Sequence, residues 1–167
     1  DQHGLKKHGR GGFTCHICVL RPKSVGSVKL ADANPNSPPL IDPAFLKDER
    51  DLDTMLAGVK QAQQIMQAPS FDAHRGKALY AGASNDDEEL KEDIRNRADT
   101  IYHPVGTCKM GPDSDPNAVV DQRLRVRGIK SLRVIDASIM PKIVSGNTNA
   151  PSIMIGEKGA HMILEDA

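Results

Sequence analysis

Apolar and polar positions alternate with period two from Phe13 to Leu20. Phe13, Cys15, Ile17 and Val19 share one face; Thr14, His16, Cys18 and Leu20 share the other. This pattern predicts a strand covered on both sides. A second extended segment, residues 26–30, follows the turn-prone Arg21-Pro22-Lys23-Ser24-Val25 and is expected as its antiparallel neighbour. Residues 33–39 are dense in Pro and Asn and predict a surface loop. The next segment, residues 40–46, is restricted by nearby prolines to an edge strand at most.

From Asp51 the period changes. Leu52, Met55, Leu56, Val59, Ala62, Ile65 and Met66 recur at helical spacing, with Pro69 just beyond, and predict an amphipathic helix. A second helix is signalled by Ser84 and Asn85 as caps, acidic residues 86–89 in the first turn and Arg95 and Arg97 in the last. Its apolar stripe, Leu90 and Ile94, is thin and suits a surface position. Beyond Tyr102 the chain becomes rich in Gly and Pro. It closes with the short apolar run Leu132-Arg133-Val134-Ile135-Asp136 and a last helix near 151–165, apolar around much of its circumference and expected to be buried.

Composition narrows the function classes. The 22 basic side chains balance the 22 acidic ones, so no excess charge favours nucleic acid, and 3% aromatics make a base-stacking platform unfavourable. No apolar run reaches the roughly 20 residues that span a bilayer, and residues 1–8 lack the apolar centre of a signal peptide, which points to a soluble protein. Three cysteines in a chain of 167 residues suit a reducing, cytoplasmic compartment. Cys15 and Cys18 have the spacing of a redox or zinc motif, but residues three apart on a strand face opposite ways, so structural core is the expectation for them.

Two loops carry candidate chemistry. In Tyr102-His103-Pro104-Val105-Gly106-Thr107-Cys108-Lys109-Met110-Gly111, Pro104 holds His103 extended and Gly106 permits a tight turn. An imidazole aimed by stiff backbone is a natural acceptor for an alcohol proton, although a loop histidine is also compatible with a purely structural role. Ser145-Gly146-Asn147-Thr148-Asn149-Ala150-Pro151 immediately precedes the last helix. Its amides and the positive helix end suit an anionic neighbour; plain N-capping by Asn147 or Asn149 is the alternative. Gly9-Arg10-Gly11-Gly12 precedes a predicted strand instead of joining strand to helix, the wrong order for dinucleotide binding.

Together with residues 132–141 and the stretch from Arg21-Pro22 to Leu30, these two loops resemble the C-terminal half of the glucose-methanol-choline oxidoreductases, on the side of the choline dehydrogenases and related bacterial alcohol dehydrogenases. The resemblance spans nearly the whole chain and is weakest across residues 70–100. It implies an α+β fold with a mostly antiparallel sheet flanked by helices. Residues 1–12 are then an N-terminal extension, residues 13–101 a substrate-binding region, and residues 102–167 the catalytic loop with a tail returning to an FAD domain. It places His103 at the catalytic histidine and Asn147 where it hydrogen-bonds the substrate oxygen, with Gly146 beside the flavin. Asp136 and Ala137, at the end of a strand over 132–136 that in the family returns to the FAD domain, are expected to contact FAD together with Asn149 and Pro151. The implied partners are a small alcohol, an N-terminal FAD domain of the same polypeptide and a quinone-type electron acceptor, with no nucleic acid. The implied location is cytoplasmic, free or peripheral at the inner membrane face. The glycine-rich FAD fingerprint is not in these residues, so the chain alone is expected to be inactive. The rival expectations are a non-enzymatic module that binds a ligand or partner, and a metal or thiol protein built on Cys15 and Cys18.

Overall fold

The computed structural model describes Gly9 and residues 11–167; the remainder of the expected extension at 1–12 lies outside the described residues. Among the described residues the architecture is α+β, with three α-helices and one two-stranded antiparallel sheet. The chain divides into two compact units, one formed by residues up to 19 with 48–98, the other by residues 20–47 with 99–167.

The first unit is built on two helices. Helix α1, Glu49–Met66, starts at Asp48, whose carboxylate accepts the Arg50 amide at 3.1 Å and the Arg50 guanidinium at 2.8 and 2.5 Å. Leu52, Leu56 and Ala62 are its buried apolar positions, as the spacing predicts. Helix α2, Asp87–Arg97, is capped by Asp86, which accepts the amides of Glu88 (2.9 Å) and Glu89 (3.0 Å). The cap is thus one residue beyond the expected Ser84 and Asn85. Ser84 supports it instead, its hydroxyl accepting the Asp86 amide at 3.1 Å and donating to Glu89 Oε2 at 2.5 Å.

The thin stripe of α2 is not a surface feature. Leu90 and Ile94 are 2% and 7% exposed, and α2 packs on α1. Gln63 of α1 reinforces the pair by donating its side-chain amide to the carbonyls of Gly82 (3.2 Å) and Ser84 (2.8 Å).

The segment at 13–20 departs from expectation, because it forms no strand and leaves Cys15 and Cys18 exposed as free thiols. Its side chains lean on helical neighbours instead of pairing through the backbone. Phe13 stacks on Phe71 at 5.8 Å between ring centroids, and Ile17 lies so near Gly58 of α1 that a Cβ there would stand 2.6 Å from Ile17 Cγ2. Alternation reported which side chains share a face; it did not supply a hydrogen-bonding partner.

In the second unit, β1 (Ser27–Lys29) pairs with β2 (Leu40–Asp42), with Val28 opposite Ile41. The antiparallel neighbour of residues 26–30 is therefore 40–42 and not 13–20. The intervening residues 33–39 form the exposed loop that their Pro and Asn content predicts. Gly26 lets the chain enter β1, since a Cβ there would stand 2.1 Å from the Asp42 carbonyl oxygen.

The core of this unit is Val120, Leu124, Ile139, Met140 and Ile155. Around it the chain makes single bridges and no ladders: Met110 with Val120, Val120 with Val126, and Arg125 with Arg133. The strand expected at 132–136 is reduced to the last of these. Left-handed backbone at Leu124 (φ 64°), Gly128 (φ 78°) and Ser131 (φ 58°) turns the chain too sharply for extended pairing.

Helix α3, Asn149–Glu165, lies on this core through Ile155 and Gly159; a Cβ at Gly159 would come within 2.4 Å of Ile135 Cγ2. The expected burial of α3 does not hold, because Ile153 is 60% exposed, Met154 57% and Leu164 76%. One stripe of the helix finds a surface to cover it, although apolar residues occupy most of its circumference.

The end of α3 is held by charge. Asp166 accepts from Arg123 at 3.0 Å and also from Arg125 and Arg133, and Glu165 accepts from Arg123 at 2.9 Å. Hydrogen bonding to Arg125, followed by the charges of Arg123 and Arg125, holds the Asp166 carboxyl below its ordinary value of 3.8. Among the described residues, no helix is long and apolar enough to cross a membrane.

Two predictions follow from this packing. Leu90→Ala is expected to destabilise the first unit by about 2–5 kcal/mol, read from denaturant unfolding, because Leu90 is 2% exposed and its removal leaves a cavity between α1 and α2. A depressed carboxyl contributes stability that is complete above its unfolded value and is lost as pH falls through the folded one. The difference in thermal midpoint between the parent and Asp166→Asn should therefore stay constant at neutral pH and shrink below pH 3.8.

Candidate active site

The histidine loop is fixed at several points along its length. Tyr102 is left-handed at φ 66°, and its amide donates to Thr100 Oγ1 at 2.9 Å. Pro104 follows His103, and Gly106 makes the expected turn at φ 91°, closed by the Lys109 amide donating to the Gly106 carbonyl at 3.2 Å. Beyond the turn, the amides of Cys108 and Met110 donate to the carbonyls of Ser138 (3.1 Å) and Ile139 (2.8 Å). These carbonyls belong to a 3-10 turn, Ala137–Ile139, whose cap is Asp136; its carboxylate accepts the Ser138 amide at 2.8 Å. The expected cofactor contacts Asp136 and Ala137 thus begin the turn whose Ser138 and Ile139 carbonyls are bonded to the loop that carries His103. Lys109 is paired with Asp115 at 2.7 Å, and that hydrogen bond holds the Asp115 carboxyl below its ordinary range.

The second loop arrives from the other direction. Ser145 is left-handed at φ 68°, and its hydroxyl accepts Arg21 Nε at 2.6 Å. Thr148 occupies the cap position of α3 and is 8% exposed. Its carbonyl accepts both the amide (3.0 Å) and the hydroxyl (2.6 Å) of Ser152.

The Thr148 side chain makes no capping bond. Two local causes account for this. The residue sits at φ −89° and ψ 6°, outside the extended conformation that aims a cap side chain at the helix amides, and the third helical position is Pro151, which has no N–H to offer.

The freed hydroxyl meets the histidine. Thr148 Oγ1 lies 3.0 Å from His103 Nδ1, and the Thr148 amide points at the same nitrogen from 3.4 Å. Residues 45 apart in sequence are joined here, and both are at least partly buried. His103 is thus brought to the Ser145–Pro151 loop, at the residue between Asn147 and Asn149. Asn147 and Asn149 are both exposed, and no hydrogen bond joins Asn147 to His103 among the described residues. Asn149 opens α3 and Pro151 is half-buried two residues on.

Of the two readings open to this loop, an anion site or capping by Asn147 or Asn149, neither singles out Thr148, the residue at the cap position. The signal was present: a hydroxyl residue placed between them, directly before a helix whose third position is proline.

The start of α3 offers the amides of Asn149 and Ala150 with no side-chain cap over them, a donor set for an electron-rich or anionic group. A cleft of about 590 Å³ lined by Arg125, Arg127, Lys130, Arg133, Asp121 and Asp166 contains none of the site residues, and its cations and carboxylates are largely paired with one another or with neighbouring carboxylates. Among the described residues, no group of three or more His, Cys, Asp or Glu is placed to hold a metal ion.

The profile of the GMC oxidoreductases matches residues 22–156, and the chain belongs to that family. It is 52% identical over 166 residues to an alcohol dehydrogenase [acceptor] of Pseudomonas putida, with 96% of this chain and 30% of that protein covered. To the mitochondrial choline dehydrogenase of Homo sapiens it is 44% identical, over 96% of this chain and 27% of that one. Among solved structures it resembles pyridoxine 4-oxidase from Mesorbium loti at TM-score 0.81 and 33% identity, covering 87% of this chain and 28% of that one. A formate oxidase from Aspergillus oryzae RIB40, studied for the modification of its FAD, superposes at TM-score 0.76 with 29% identity, over 89% of this chain and 26% of that one. The chain spans about 30% of the length of the P. putida relative.

Proposed function

We propose that this chain is the C-terminal part of an FAD-dependent alcohol dehydrogenase that oxidises a primary alcohol, choline-like or other, to an aldehyde. The observation that carries the reading is the contact between His103 Nδ1 and Thr148 Oγ1, which brings the imidazole to the start of α3. In this reading residues 13–101 belong to the substrate-binding region, and residues 102–167 hold the catalytic loop and the tail that returns to the FAD domain. The similarity to an alcohol dehydrogenase and to choline dehydrogenases supports the choice of donor.

The residues fit the cofactor. The uncapped amides of Asn149 and Ala150 suit the electron-rich edge of a flavin, and Asp136, Ala137, Asn149 and Pro151 are the residues that would hold it. When bound, FAD supplies the acceptor for the hydride that leaves the alcohol carbon. The chain's own residues manage the oxygen. The His103 imidazole, held at this loop by Thr148, takes the hydroxyl proton as the carbonyl forms, and the proton stays on the ring. The Asn147 side-chain amide donates to the substrate oxygen and steadies the negative charge developing there. The electrons leave through a quinone-type acceptor, and the protein works in the cytoplasm, free or peripheral at the inner membrane face.

His103→Ala, made in the intact FAD-loaded polypeptide, should lower the turnover number for its alcohol by at least about a hundredfold, the usual contribution of a positioned acid-base group. A rate near that of the parent would remove His103 from the mechanism.

A further inference from the structure

We infer that Arg21 is a positioning residue for Asn147. Its Nε–H holds Ser145, and through Ser145 it sets the loop that presents the Asn147 amide to the substrate oxygen. The inference rests on the reading of Asn147 as the group that steadies the developing charge, and adds to it the side chain that keeps the loop in place.

The loop has little else to hold it. Its two ends are secure: Met140 belongs to the core cluster, and Thr148 is 8% exposed with its carbonyl fixed by Ser152. Between them, among the described residues, 141–147 make no backbone-to-backbone hydrogen bond, and the bond from Arg21 is the one hydrogen bond they make. Packing does not take its place, since Val144 is 52% exposed and a Cβ at Gly146 would meet nothing within 4 Å. A segment with neither ladder bonds nor packed side chains opens locally at low cost, so a single tether decides where it spends its time.

The direction of that tether is unambiguous. A guanidinium N–H donates and has no lone pair to accept with, so Ser145 Oγ is the acceptor, at 2.6 Å. The bond also falls on the residue that most needs it. Ser145 is left-handed at φ 68°, a conformation that a residue other than glycine keeps only where its surroundings over-determine it. With no backbone bond nearby, Arg21 supplies that determination. If Ser145 were released to an ordinary negative φ, the chain direction would change two residues before the end of the loop, and the Asn147 side chain with it.

Arg21 is suited to the task from its own side. Pro22 confines the Arg21 backbone to extended conformations, and residues 20–47 share a compact unit with residues 99–167. The bond joins positions 124 apart in sequence and so ties the substrate-binding region of the proposed enzyme to its site loop. What the loop uses is the N–H at this place, not the positive charge.

The test uses the intact FAD-loaded polypeptide with Arg21→Met and Arg21→Gln. Both remove the charge. Methionine ends in a methyl group where Nε lay, whereas glutamine brings an amide N–H to the same atom position. Arg21→Met is expected to lower kcat about tenfold, the factor for one hydrogen bond of ordinary strength, with KM within about twofold. Arg21→Gln should keep most of the parental rate. Because the bond is open to solvent and lies outside the core, the thermal midpoint should move by no more than about 3 °C in either variant. In an Asn147→Ala background Arg21→Met should cost less than about twofold, since the group it acts through is already gone; losses that multiply would mark an independent role. Parental kcat in Arg21→Met, an equal loss in Arg21→Gln or multiplying losses would each overturn the inference. Should Arg21→Met fail to fold, Ser145→Ala removes the acceptor from the other side and is held to the same expectations. Parental turnover in Asn147→Ala defeats the reading of Asn147 and the inference with it, while an impaired Asn147→Ala beside a parental Arg21→Met defeats the positioning role alone.

Discussion

The contact between His103 and Thr148 spans 45 residues, and the hydrogen bonds and core around it in the second unit hold its two ends. On one side, the histidine loop is bonded through Cys108 and Met110 to the 3-10 turn after Asp136. On the other, the Thr148 loop passes directly into α3. The turn and the helix meet in one cluster, since Ile139 and Met140 of the first pack with Ile155 of the second around Val120 and Leu124. Because such a core is close-packed, a displacement of α3 carries the hydroxyl with it, and one of the turn carries the imidazole. A site assembled from two loops thereby acquires the rigidity of the core beneath them.

Much of this was legible in the sequence, and the portions that were not share a cause. Helix α1 declared itself because its apolar spacing, acidic start and Pro69 all point the same way. The turn at Gly106 and the stiff His103-Pro104 pair were equally readable, since both are properties of single residues. The strand at 13–20 and the burial of α3 were not, because periodicity records which side chains share a face and says nothing of whether a partner stands opposite. Ile17 found Gly58, while Ile153 and Leu164 found nothing that covers them. In a chain that spans about 30% of the length of the P. putida relative, partner availability is the piece of information that local pattern lacks.

Thr148 illustrates a different limit. Local rules recommend Ser, Thr, Asp or Asn at a helix start, and any of three consecutive residues satisfied them. Proline at the third helical position and the near-zero ψ at Thr148 remove the side chain from its habitual task. A residue barred from its local partner is then available to a distant one. Proline is read from sequence, ψ is not, and the histidine partner follows only from the packing of loops that meet in space.

The two left-handed residues beside the site bear on how the imidazole can work. Tyr102 precedes His103 and Ser145 stands three residues before Thr148; each has positive φ without being glycine, a conformation that costs of order 1 kcal/mol or more and persists only where the surroundings over-determine it. Both are tied, Tyr102 through its amide to Thr100 and Ser145 through its hydroxyl to Arg21. The strain thus falls on the backbone that aims the two side chains and leaves the side chains themselves in ordinary contact at 3.0 Å. At the helix start the amides of Asn147 and Asn149 and the hydroxyls of Ser145 and Ser152 carry no proton that titrates near neutral pH. In the proposed reaction a proton leaving the alcohol oxygen is therefore taken by the His103 imidazole, and the backbone that aims the ring is as consequential as the ring itself.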